Sequence, residues 1–122
     1  MKVITINSSN LATSLKPFLQ ILAYGQPFVL IIRSKGCGHC IAMHDDWEKA
    51  KAEAQKKNIT VIEMDGDVGL HLTTNHGHQF NIGKAIHNFN GVPYIRKRTK
   101  KGKFLDFNGD RTKERLANFL SV

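Results

Sequence analysis

The chain has 122 residues, 41% of them hydrophobic and 23% charged, proportions that fit one globular domain with its own core and exclude wholesale disorder and fibrous repeats. Eighteen Lys and Arg against ten Asp and Glu give a net charge of +8, which favours acidic partners through long-range attraction. The cations are spread along the sequence and no basic motif interleaved with aromatics occurs, so nucleic acid is not the expected partner. No apolar run approaches the ~20 residues of a membrane span, residues 1–6 lack a signal peptide's apolar stretch and the C-terminus lacks a retention signal; a cytoplasmic monomer without membrane contact is expected.

Residues 2–6 alternate with β-branched character and predict a first strand. Asn7-Ser8-Ser9-Asn10 offers caps for a helix in which Leu11, Leu15, Phe18, Leu19 and Leu22 recur at helical spacing. Pro17 lacks a backbone donor and should kink that helix or open a second segment, and Gly25 and Pro27 end it. Phe28 to Ile32 is a continuous apolar run, as expected of a central strand covered on both faces. Cys37-Gly38-His39-Cys40 follows and opens a helical pattern to about Lys57. Cys40, Met43, Trp47, Ala50 and Ala54 share one stripe of it, which puts Cys37 at the helix N-terminus.

Ile59 to Met64 predicts another strand, with Asp65-Gly66-Asp67 as the turn that ends it. From Gly69 to Asn90 the pattern blurs: His71, His76, His78 and His87 lie among Asn and Gly, with at most a short helix near Gln79 to His87. Val92 to Arg98 and Gly102 to Phe107 form a hairpin around the basic turn Thr99-Lys100-Lys101. Thr112 then caps a last helix whose apolar face is Leu116, Phe119 and Leu120. The order of elements predicts an α/β fold, a central mixed β-sheet flanked by helices, in a single domain over residues 1–122.

The two cysteines lie three positions apart, and a bridge closing so small a loop is a poor staple against unfolding. In a reducing compartment such a pair is more often catalytic or metal-binding. A cysteine at a helix N-terminus is stabilised as thiolate by unpaired backbone donors and the helix dipole, so Cys37 is the expected nucleophile. Cys40, one turn on and along the buried stripe, is placed to resolve the mixed disulfide. A donor imidazole at His39 would favour the Cys37 thiolate further and make the disulfide more oxidising, about 30 mV for each ~1.4 kcal/mol. The same spacing also serves zinc and iron–sulfur sites, but an apolar strand before it and a helix after it are what a thioredoxin-like redox motif requires.

Three stretches carry a resemblance. Cys37-Gly38-His39-Cys40 matches the active-site motif of protein disulfide isomerase catalytic domains, and Gly91-Val92-Pro93 resembles that family's cis-proline loop. Phe107-Asn108-Gly109-Asp110-Arg111-Thr112-Lys113-Glu114-Arg115-Leu116, followed by Phe119, is similar to its closing strand and helix. They occur in the family's order and span roughly residues 28–120. The resemblance implies the thioredoxin-like fold and a protein disulfide oxidase or isomerase-like activity. It implies a cis Pro93 facing the cysteines and a Val92 whose backbone pairs with extended substrate. Protein thiols and disulfides are the expected substrates and glutathione or a reductase the expected redox partner, with no cofactor beyond the redox-active Cys37–Cys40 disulfide. Compact relatives without leaders occur in large DNA viruses and phages, which makes such a source a candidate.

The chain departs from that pattern at the substrate-facing Gly36, where the family has an aromatic residue. It departs again at Ile31, where the proton-relaying buried carboxylate would fall, and at Val61, where that carboxylate's lysine partner would fall. Solvent, His39 or another residue must then take the proton of Cys40. The histidines of the 69–90 stretch are expected to be scattered surface residues, and a metal shared by His44 and both cysteines is the weaker reading, so no metal site is expected. Two other functions stay open: a thioredoxin- or glutaredoxin-like electron donor to an enzyme such as ribonucleotide reductase, with Lys35 suited to glutathione's carboxylate, and a non-catalytic metal- or partner-binding module.

Overall fold

In the computed structural model, which describes residues 2–54, 56–76 and 82–121, the buried run Phe28–Arg33 (β2) lies at the middle of a five-stranded sheet. Its neighbours are Thr60–Asp65 (β3), parallel, and Tyr94–Arg98 (β4), antiparallel; Lys2–Ile6 (β1) and Phe104–Asp106 (β5) form the edges, in the order β1-β3-β2-β4-β5. The chain has the mixed α/β sheet expected of it. Because side chains alternate along a strand, β2 serves two cores at once. Phe28, Leu30 and Ile32 enter one, Val29 and Ile31 the other, and all five are fully buried.

The first core is covered by the helix Leu11–Ala23 (α1), through Phe18, Ile21 and Leu22. That helix runs as one element through Pro17, so the second segment that proline could have opened does not form. It ends in a Schellman turn: Gly25, at φ +66°, donates to Leu22 and Gln26 donates to Ile21. The second core is covered by Gly38–Ala54 (α2) and Lys113–Phe119 (α5). All five residues of the predicted α2 stripe are buried, and Thr112 caps α5 by accepting from Arg115 N–H at 3.3 Å. Each large aliphatic or aromatic side chain so buried contributes roughly 1.5–3 kcal/mol.

Two expectations need correction. Asp65-Gly66-Asp67 is not a turn: β3 ends at Asp65 and the helix Gly66–His76 (α3) begins at the next residue. Much of the blurred stretch is therefore helical, and α3 packs on the first core through only Val68 and Leu72. The short second helix near Gln79 to His87 is Ile82–Ala85 (α4). Residues 77–81, which include His78 and Gln79, lie outside the described residues, as does the side chain of His76. No helix among the described residues is long and apolar enough to cross a membrane.

Candidate active site

The central strand carries the chain to Arg33, and the loop Ser34-Lys35-Gly36 turns it into α2 at the C-terminal ends of the parallel strands. Cys37 is the residue before that helix. Its carbonyl accepts from Ile41 N–H at 3.0 Å and its Sγ accepts from Cys40 N–H at 3.1 Å, so the sulfur takes the capping position that a serine or aspartate oxygen fills elsewhere. Burial alone would raise the thiol's pKa. The hydrogen bonds from the Cys40 side chain and from the backbone N–H groups of Cys40 and His39, with the charge of Arg111, outweigh it and leave Cys37 below the ordinary thiol range.

Cys40 is 4% exposed and is shifted the opposite way. Burial, its hydrogen bond to Cys37 and the repulsion of the Cys37 thiolate raise it, against a smaller pull from the Ser34 backbone and the Arg33 charge. Two cysteines three positions apart thus differ in ionisation because one caps the helix and the other is swallowed by it. Both are free thiols here.

Facing the pair is the loop before β4, where the Val92–Pro93 peptide bond is cis and Val92 O accepts from Cys37 Sγ at 3.6 Å. Tyr94, the next residue, anchors this loop: its hydroxyl donates to His87 O at 2.7 Å, and burial pushes its phenol up to about 12. Gly66, at the head of α3, lies beneath both halves of the site. A Cβ there would collide with the Ser34 hydroxyl, which would have to turn away, and would meet Val92 Cγ1 at 3.6 Å, an ordinary contact.

Gly36 and His39 are exposed beside Cys37. Nothing stands within 4 Å of where a Gly36 Cβ would be, so the missing aromatic reflects no lack of room. What His39 brings to the Cys37 sulfur is its backbone N–H.

Ile31 and Val61 are fully buried, so both relay positions are apolar. A carboxylate nevertheless lies next to them that the sequence reading missed. Glu63 stands opposite Ile31 in the β2–β3 register and accepts from Trp47 Nε1 at 2.8 Å, from Arg33 at 2.9 Å and from Lys51 at 3.2 Å. The signal was an acid two residues after Val61, on the same face of the strand. On the Cys40 side a cavity of about 500 Å³ is bordered by Arg33, Lys35, Cys40, Ile41 and His44, and His44 Nδ1 lies 3.5 Å from Arg33. Among the described residues no three His, Cys, Asp or Glu side chains converge to hold a metal ion.

The comparisons bear on the fold. No family model and no curated protein sequence matches. Solved structures do. The J-Trx1 fragment of ERdj5 aligns with a TM-score of 0.68 at 19% identity, over 96% of this chain and 49% of that one. The first thioredoxin domain of mouse protein disulfide-isomerase A4 aligns at 0.61 and 22%, over 95% and 71%. Chloroplastic thioredoxin z aligns at 0.63 and 15%, over 98% and 92%. The chain therefore has the thioredoxin-like fold, and it spans about half the length of the ERdj5 fragment.

Proposed function

We propose that this protein is a thiol–disulfide oxidoreductase that exchanges disulfides with protein substrates, in the manner of a protein disulfide isomerase catalytic domain. The observation that carries this reading is the Cys37 sulfur capping α2, 3.1 Å from Cys40 N–H and 3.6 Å from Val92 O. In the reducing direction the Cys37 thiolate attacks one sulfur of a substrate disulfide; that S–S bond breaks and a substrate thiolate leaves, to be protonated by solvent. Cys40 gives its proton to solvent in the cavity it shares with His44 and attacks Cys37 Sγ. The second substrate thiolate departs, and the two electrons the substrate gained are those lost in forming the Cys37–Cys40 disulfide. The reverse sequence oxidises a substrate dithiol. The redox-active disulfide is the cofactor, and Val92 offers backbone groups to an extended substrate.

Trapping tests the two-step scheme. Cys40→Ser keeps the first attack and loses the second, so it should accumulate mixed disulfides with a reduced-and-reoxidised protein substrate, whereas Cys37→Ser accumulates none. Equal trapping by both variants, or by neither, contradicts it.

A further inference from the structure

Seven of the eighteen cations that the sequence scatters meet at the end of the sheet away from Cys37. Lys2 opens β1 and pairs with Thr60, and its N–H donates to Ile59 O at 3.0 Å. Lys56 and Lys57 follow the C-terminus of α2, and Lys57 Nζ donates to Ser121 Oγ at 2.9 Å. Arg98 ends β4 opposite Phe28, the first residue of β2, and Lys100, Lys101 and Lys103 form the turn after it. The segments that meet here, residues 24–28, 56–60 and 98–103, contain no Asp or Glu. The closest acids along the chain are engaged elsewhere: Glu53 with Lys113 at 2.8 Å, Glu63 with Arg33 at 2.9 Å, and Asp106 with Arg96 at 2.8 Å.

Two further features point to one kind of polyanion. A cavity of about 280 Å³ opens at this pole, bordered by Lys57, Lys100, Asn58, Thr60 and Ser121. It offers the ammonium groups of Lys100 and of Lys57, the latter also donating to Ser121, beside the polar side chains of Asn58 and Thr60, a set that suits a phosphate oxygen. Beside it the Schellman turn of α1 holds Tyr24 outward, 77% exposed. Its neighbour Gly25 lies against Arg98, whose guanidinium nitrogen is 3.2 Å from where a Gly25 Cβ would stand. An acidic protein needs no exposed aromatic ring, and a membrane surface would want several apolar residues. A phosphate backbone with unpaired bases uses both cations and a stacking platform.

We propose that this pole is a binding surface for single-stranded nucleic acid, with the lysines on the phosphates and Tyr24 stacked on a base. The six-residue β2 separates it from the redox loop, so at ~3.3 Å per residue the two sites lie roughly 20 Å apart and operate independently.

Fluorescence anisotropy of the whole protein with a labelled dT 20-mer at 50 mM NaCl tests the proposal. Lys57→Gln, Lys100→Gln and Lys101→Gln together should weaken binding at least tenfold and lower the slope of log affinity against log salt by about 2, since each single-strand phosphate contact contributes about 0.7. A control triple of equal charge change, Lys16→Gln, Lys49→Gln and Lys84→Gln, should alter neither. Tyr24→Ala should weaken binding at least fivefold. Thiol exchange should persist in all three variants, which separates this test from that of the redox reading. No binding by the wild type, equal losses in the two triples, an unchanged affinity in Tyr24→Ala, or displacement of the oligonucleotide by polyglutamate at equal charge overturns the proposal.

Discussion

The two thiols of the site are chemically alike and made unlike by position. Cys37 receives backbone N–H groups at the open end of a helix, while Cys40 sits in the wall of the core. Iodoacetamide should therefore label Cys37 first in the reduced protein, with a rate that rises through a pKa below the ordinary thiol range. Peptide mapping after partial alkylation across pH 5–9 reads this, and faster labelling of Cys40 contradicts it. The linkage sign follows. A thiol whose folded pKa is lowered contributes stability that is fully present above its unfolded pKa and is lost as pH falls through the folded value. Reduced wild type should thus lose its advantage over Cys37→Ala on acidification.

At the same scale, the role of His39 divides into imidazole and amide. Its backbone N–H, after the donors of Cys40, is among the groups that favour the Cys37 thiolate. His39→Pro removes that donor at the second helical residue, a position the helix tolerates. It should make the disulfide more reducing. His39→Ala keeps the N–H and should move the potential far less. Equal shifts in glutathione buffers at pH 7 would assign the effect to the imidazole instead.

Among the elements, what joins β2, α2 and β3 beneath the site is Glu63, with Arg33, Trp47 and Lys51 converging on one carboxylate whose side chain is 12% exposed. Removing it leaves the Trp47 indole N–H and Arg33 without their carboxylate, while Lys51 keeps Glu48 at 3.1 Å. Glu63→Ala should cost about 2–4 kcal/mol, toward the lower end of what broken buried pairs cost because Arg33 keeps some solvent. Urea unfolding would show this as a lower midpoint at unchanged slope; a loss under 0.5 kcal/mol would mean the cluster is idle.

The same elements show what could be read from sequence. The Cys40–Ala54 stripe, the doubly buried β2, the Thr112 cap and the cis bond before Pro93 were all legible, because each depends on local periodicity or on a short motif. Glu63 was not, since its partners come from two other elements, β2 and α2. Nor was α3: among the described residues its buried apolar side chains are Val68 and Leu72, too few to print a period, and its Gly, Asn, His and Thr have weak helix propensity.

For the whole molecule, the fold separates two surfaces that the sequence mixes. The cysteine loop lies at the C-terminal ends of the parallel strands, and six of the lysines, with Tyr24, collect at the other end. The net charge of +8 said nothing of this, because residues distant in sequence meet only when β1, β3 and the β4–β5 hairpin are in register. The central claim rests on the opposite pole, that Cys37 and Cys40 form one reversible two-electron couple. Its most direct test is equilibration of the wild type across glutathione buffers at pH 7, with thiols quantified by alkylation and mass. The account predicts a single two-electron transition, both thiols lost together as an intramolecular disulfide, with a potential between about −270 and −180 mV. Thiols that stay reduced across that range, or that take up glutathione independently at each cysteine, would contradict it.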